Sequence, residues 1–88
     1  MAIRADGVRL TVYNRDYCHL CEEMIAGLRQ LQAGFHFELE IVDVDSVPEL
    51  ERRYGEKVPV LACGGDEICH YHLEPAVVTD YLTKFVKI

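Results

Sequence analysis

The sequence predicts an α/β domain, a four-stranded mixed sheet with helices on both faces, in the order β-α-β-α-β-β-α. Three observations predict it. Apolar residues alternate from Val8 to Tyr13 and then recur at three- and four-residue spacing from Cys21 onward, the change of period from strand to helix. A second alternating stretch, Phe35 to Asp43, completes a β-α-β unit whose strands run parallel through a right-handed crossover. Near the C-terminus a short apolar run, Val58 to Ala62, meets the turn residues Gly64-Gly65-Asp66 and a returning stretch, Glu67 to Tyr71, which reads as an antiparallel hairpin.

In the first strand Val8, Leu10 and Val12 share one side, and Arg9, Thr11 and Tyr13 the other. The helix that opens at or just before Cys18 carries Cys21, Met24, Ile25, Leu28 and Leu31 as its apolar stripe, with Gly34 expected as a left-handed cap. Gly27 inside it costs about 1 kcal/mol against alanine, so this helix depends on packing. Phe35, Phe37, Leu39 and Ile41 share a face of the second strand. Ser46 followed by Glu49 fits a capping box for a helix of about two turns, with Pro48 in its first turn, Val47, Leu50 and Tyr54 as its stripe, and Gly55 as its stop. Glu74-Pro75 opens a last helix with Val78, Tyr81, Leu82 and Phe85 at helical spacing.

The 88 residues, half of them hydrophobic, suffice for one domain over residues 1–88 and are too few for two independent cores. A net charge of -6, with no basic run beyond Arg52-Arg53, repels a phosphate backbone and argues against a nucleic-acid partner. Glu38, Glu40, Asp43, Asp45, Glu49 and Glu51 read as a solvated face that would at most favour basic protein partners. The opening Met-Ala-Ile-Arg-Ala-Asp-Gly lacks the apolar region of a secretory signal, and no apolar run reaches the ~20 residues of a spanning helix. The expectation is a cytoplasmic protein with no membrane partner, monomeric on grounds of size and acidity. Four cysteines in a chain this apolar, without an export signal, also point to a reducing compartment.

The segment Cys18-His19-Leu20-Cys21 lies where the first strand gives way to the first helix. Its spacing alone fits half of a zinc site, with Cys63 and Cys69 as further ligands and His19, His70 and His72 behind them. Context favours redox exchange with no metal, because the pair follows a strand and opens a helix inside a β-α-β unit. A helix N-terminus favours the thiolate of Cys18, and Arg15 adds a cation that could reach the sulfur, while Glu22 and Glu23 oppose it. Cys21 falls on the buried stripe. Cys18 is therefore the expected nucleophile and Cys21 the resolving thiol. Cys63 and Cys69 read most simply as core filling, His70 and His72 as a half-exposed strand end, and Tyr13 and Tyr17 as core or rim.

Through "VYNRDYCHLC", "IVDVDSVPEL" and "EKVPVLACGG" the sequence resembles a glutaredoxin-like protein of the thioredoxin superfamily, over about Val8 to Leu82. The resemblance implies a thioredoxin-like fold and a cis Val58-Pro59 bond, with the backbone of Val58 pairing with bound substrate. It implies a groove of Cys18, His19, Val58 and Pro59, with Arg15 standing where the family often has lysine. It also implies a disulfide-containing protein or small thiol as substrate, a reductase or glutathione as electron donor, and no bound cofactor. Two departures matter. His19-Leu20 replaces the common Pro-Tyr, and Cys69-His70-Tyr71-His72 stands where glutathione-binding members carry a Gly-Gly-Asp type motif, which weighs against glutathione. The rival reading is a thioredoxin-fold binding module without turnover, holding a protein, or a metal through Cys18 and Cys21 with Cys63 and Cys69.

Overall fold

Alternation in the first strand is used on both of its edges. In the computed structural model, which describes the backbone of residues 3–84 and side chains from Gly7 onward, β1 (Ile3–Asn14) pairs in parallel with β2 (Phe35–Asp43). Its other edge pairs antiparallel with β3 (Val60–Cys63), which pairs antiparallel with β4 (Asp66–His70). The sheet order is β2-β1-β3-β4. Three helices connect and follow the strands: α1 (His19–Leu31), α2 (Pro48–Tyr54), entered through a 3-10 turn at Val44–Ser46, and α3 (Pro75–Thr83). This is the predicted order and the predicted mixed sheet. Phe85, expected on the last helical stripe, lies outside the described residues.

Each face of β1 meets its own helices. Val8, Leu10 and Val12 are buried with Met24 and Leu28 of α1, Val78 and Leu82 of α3, and Phe37, Leu61 and Cys69 of the other strands. On the opposite face α2 lays Tyr54 against Val44 and Val60, and the rings of Tyr13 and Tyr54 stack at 4.2 Å. Tyr13 is thus a partly buried residue packed against this second core, and burial with the neighbouring phenol pushes its hydroxyl pKa up. Gly27 has a packing reason. A Cβ there would stand 2.5 Å from Leu73 Cδ2, so the missing side chain is the space that Leu73 occupies.

Four local expectations are corrected. β1 begins at Ile3 rather than Val8, because the chain bulges through Gly7 (φ 84) and resumes pairing, advancing from Arg4 to Arg9 while β2 advances from His36 to Glu38. Gly34 is not left-handed. The end of α1 is closed at Gln32, in right-handed conformation, whose Nε2 donates to the Phe37 carbonyl at 3.0 Å and so ties the helix to β2. The capping box at Ser46 does not form, since Ser46 Oγ donates to the Asp43 carbonyl, Asp43 caps the 3-10 turn, and Val47 precedes α2 without a side-chain cap. Ile41 is exposed because β2 is an edge strand and its stripe runs out beyond the helical cover.

Leu28 touches the sheet core with no exposed surface. Leu28→Ala is expected to lower the unfolding free energy by about 2–5 kcal/mol in urea titrations, and Ile41→Ala by less than about 1 kcal/mol.

Candidate functional site

One edge of the sheet gathers every residue that the sequence singled out for chemistry near Cys18. β1 and β2 end there, β3 begins there, and β4 returns there with His70 opposite Val60. The loop from Arg15 to Tyr17 carries the chain off β1 and sets Cys18 as the N-cap of α1, with extended backbone (φ -104, ψ 106). Its Sγ accepts a hydrogen bond from the Cys21 N–H at 3.2 Å, and its carbonyl accepts from the Glu22 N–H at 3.1 Å. A serine or aspartate oxygen usually fills this position. Here a sulfur does, so the unpaired donors and positive end of the helix face it. Cys18 and Cys21 are joined as a disulfide across this turn, with Cα atoms 5.2 Å apart. Cys18 is partly exposed and Cys21 is buried.

The guanidinium of Arg15 is bonded to carboxylates of the 3-10 turn and of α2. Arg15 Nε donates to Asp45 Oδ2 at 3.0 Å, Nη2 to Asp45 Oδ1 at 3.2 Å and to Glu51 Oε1 at 3.4 Å, and Nη1 to the Gly55 carbonyl at 3.3 Å. These bonds raise the guanidinium pKa further and match its charge with two carboxylates. His19 is exposed, with Nε2 3.2 Å from Glu23 Oε1 one turn along. Val58-Pro59 is cis and sits immediately before β3, with Pro59 buried and Val58 packed beside the Tyr54 cluster. Nearby, Lys57 Nζ is 2.7 Å from Glu67 Oε1, and that bond holds the Glu67 carboxyl below its usual range.

Cys69 lies in the main core, where burial pushes its thiol pKa up, and Cys63 is partly buried against the same core. Cys63 stands at the turn end of the hairpin, opposite Asp66, whereas Val60 and His70 mark the end nearest Cys18. Its hydrogen bond with Tyr81 helps push that hydroxyl up to about 12. Among the described residues no group of three or more His, Cys, Asp or Glu is placed to hold a metal ion. The four-cysteine metal site of the rival reading is therefore not assembled, because the hairpin carries Cys63 away from the sheet edge that holds the dithiol. His70 Nδ1 lies 3.0 Å from Glu67 Oε2, and His72 is exposed.

Two features had no signal in the sequence. Tyr17 (φ 59) and Tyr71 (φ 64) both adopt left-handed backbone, a conformation that costs a non-glycine residue about 1–2 kcal/mol. Tyr17 is fully exposed beside Cys18. Tyr71 is also exposed, and it fastens the chain after β4 to the segment that enters β3: its N–H donates to the Pro59 carbonyl at 2.9 Å and its hydroxyl to the Glu56 carbonyl at 3.0 Å. A cleft of about 220 Å³ lies between this segment and α1. A larger one, about 440 Å³, is lined by Gly7, Val8, Gln32 and the start of β2, toward the opposite end of the sheet, with no thiol in its lining.

A four-stranded mixed sheet with a dithiol capping its first helix and a cis-proline before its third strand defines the thioredoxin-fold class. Within that class, the chain belongs to the glutaredoxin-like domain family (DUF836), whose model matches residues 9–83. It is similar to the solution structure of protein Ne2328 from Nitrosomonas europaea, with 47% identity over 84% of this chain and 89% of that one and a TM-score of 0.77. It is also similar to the X-ray structure of protein XcR50 from X. campestris, with 32% identity over 85% and 96% and a TM-score of 0.68. The germline-specific thioredoxin Deadhead of Drosophila melanogaster, 23% identical over 93% and 85% with a TM-score of 0.53, shares the fold. No curated protein matches the chain. Among the described residues, no helix is long and apolar enough to cross a membrane.

In the reduced protein, substoichiometric iodoacetamide is expected to label Cys18 ahead of Cys21, Cys63 and Cys69, read by peptide mass mapping. Tyr17→Asn, which relaxes a left-handed position without losing buried contacts, is expected to raise stability by about 0.5–1 kcal/mol. A β-branched Tyr17→Val should lower it in the same thermal unfolding assay.

Proposed function

We infer that the chain is a thiol-disulfide oxidoreductase that reduces disulfides through the Cys18–Cys21 pair. The observation that carries this is the N-cap geometry: a partly exposed sulfur receives a backbone N–H, and its bonding partner is buried one turn behind it. In the reduced state, the same donors favour the Cys18 thiolate over the thiol. The thiolate attacks one sulfur of the substrate disulfide. That S–S bond breaks, the departing substrate sulfur takes a proton from solvent, and Cys18 is left in a mixed disulfide. Cys21, losing its proton, then attacks the Cys18 sulfur and releases the second substrate thiol.

Two electrons pass to the substrate and the Cys18–Cys21 disulfide forms, the state seen in this structure. A thiol reductant, either a protein dithiol or glutathione, returns the pair to its reduced form. Val58 and Pro59 supply the platform at the same sheet edge, and Arg15 acts as a brace for the loop rather than as the thiolate's direct counter-ion. The acidic balance and the cysteine usage support action in a reducing compartment, on a partner that is neither nucleic acid nor membrane.

Cys18→Ser is expected to reduce turnover of hydroxyethyl disulfide to the uncatalysed background, and retained turnover would reject the assignment. Cys21→Ser should instead accumulate a mixed disulfide with substrate, visible as an added mass in non-reducing mass spectrometry.

A further inference from the structure

Glu23 and Met24 lie three and four residues after Leu20, and Gly27 four and three residues after them, so the four share a side of α1. Tyr71, His72 and Leu73 stand opposite the first three of them, and the cleft of about 220 Å³ lies between. One end of this cleft begins at Leu20, between the two cysteines. Leu73, also in the wall, occupies the space that a side chain at Gly27 would need. The outer wall is fastened to the platform through the Tyr71 N–H and the Pro59 carbonyl. One wall residue of the cleft, Leu20, is thus next in sequence to Cys21, and another, Tyr71, is bonded to Pro59, while neither the cysteines nor Val58 and Pro59 line the cleft itself.

Its size and its charges narrow the occupant. Small-molecule sites enclose about 300–1,000 Å³, so this cleft suits one large side chain better than a whole tripeptide. Leu20, Met24 and Leu73 supply an apolar patch in a lining that is evenly divided between apolar and polar surface, the polar part including Glu23 and His72. Glu23, whose Oε1 lies 3.2 Å from His19 Nε2, is part of the lining, and Asp16, Glu22 and Glu74 are exposed nearby in the chain. The cations flanking the platform are already engaged, Arg15 by Asp45 and Glu51, and Lys57 by Glu67. Glutathione, with carboxylates at both ends, would meet an acidic rim and cations that have partners.

We propose that this groove selects a polypeptide disulfide, one with a bulky apolar residue and basic residues beside its cysteine, in preference to glutathione. The proposal rests on the redox reading above and names its substrate. The apolar side chain fills the cleft beside Leu20, and a lysine or arginine meets Glu22 and Glu23. The net charge of -6 draws such a partner in from a distance. Electron flow is as before: the substrate disulfide becomes two thiols, the protein dithiol becomes a disulfide, and an external dithiol restores it.

The test uses the full chain with dithiothreitol as reductant and four disulfides. These are a disulfide-linked peptide with leucine and lysines beside its cysteine, one of equal length with alanine and glutamates, oxidised glutathione, and neutral hydroxyethyl disulfide. At low ionic strength kcat/KM for the leucine–lysine peptide is expected to exceed that for the glutamate peptide and for oxidised glutathione by about tenfold or more. The ratio should narrow as salt is raised. Glu23→Lys should reduce the ratio between the two peptides by about tenfold, with an unchanged thermal midpoint showing that the fold is intact. Equal kcat/KM for the two peptides, or preference for oxidised glutathione, overturns the proposal while turnover of hydroxyethyl disulfide leaves the redox reading standing. Failure on all four disulfides removes both.

Discussion

Burial of the α1 stripe against β1 sets the geometry of everything at the sheet edge. Met24 and Leu28 are almost wholly removed from water beneath Leu10 and Val12, and each such side chain is worth about 1.5–3 kcal/mol of burial. That fixes the rotation of the helix about its axis. With Met24 turned inward, Cys21 one turn earlier is turned inward as well, and Cys18 is left at the open end with the first-turn donors facing its sulfur. A helix rotated enough to expose Cys21 would also have to expose Met24 and Leu28.

Around that fixed point the loop and the platform are tied together by side chains from distant parts of the chain. Arg15 joins the loop before Cys18 to Asp45, to Glu51 and to the carbonyl of Gly55, shortly before Val58. Tyr13, two residues before Arg15, stacks on Tyr54, next to Gly55 in the chain. Tyr71 closes the other side by its bond to Pro59. The acidic residues that composition alone presents as a solvated face thus have a second use: two of them hold a cation in a bracing position.

What could be read from the sequence was local and periodic. The strand alternation of Val8, Leu10 and Val12, the helical stripe of Cys21, Met24 and Leu28, the Gly64-Gly65 turn and the Glu74-Pro75 opening all declare themselves within a few residues. The placement of Cys18 between two such periods was legible for the same reason. Features decided by distant partners were not. Arg15 finds carboxylates 30 and 36 residues away, Gln32 closes α1 through a strand carbonyl, and the Ser46 hydroxyl turns back to Asp43. The left-handed tyrosines are the clearest case, since residue type argues against such backbone at both positions and only the surrounding fold imposes it.

The proposed function has the backbone N–H at the start of α1, rather than the Arg15 charge, favour an anion at Cys18. It is tested most directly by following the Cys18 Cβ resonance through a pH titration of the reduced protein, alongside Arg15→Ala. A midpoint below the ~8.5 of an unperturbed thiol, nearly the same in both proteins, is the expected result. A midpoint at or above that value, or one that returns to it when Arg15 is removed, would contradict the assignment.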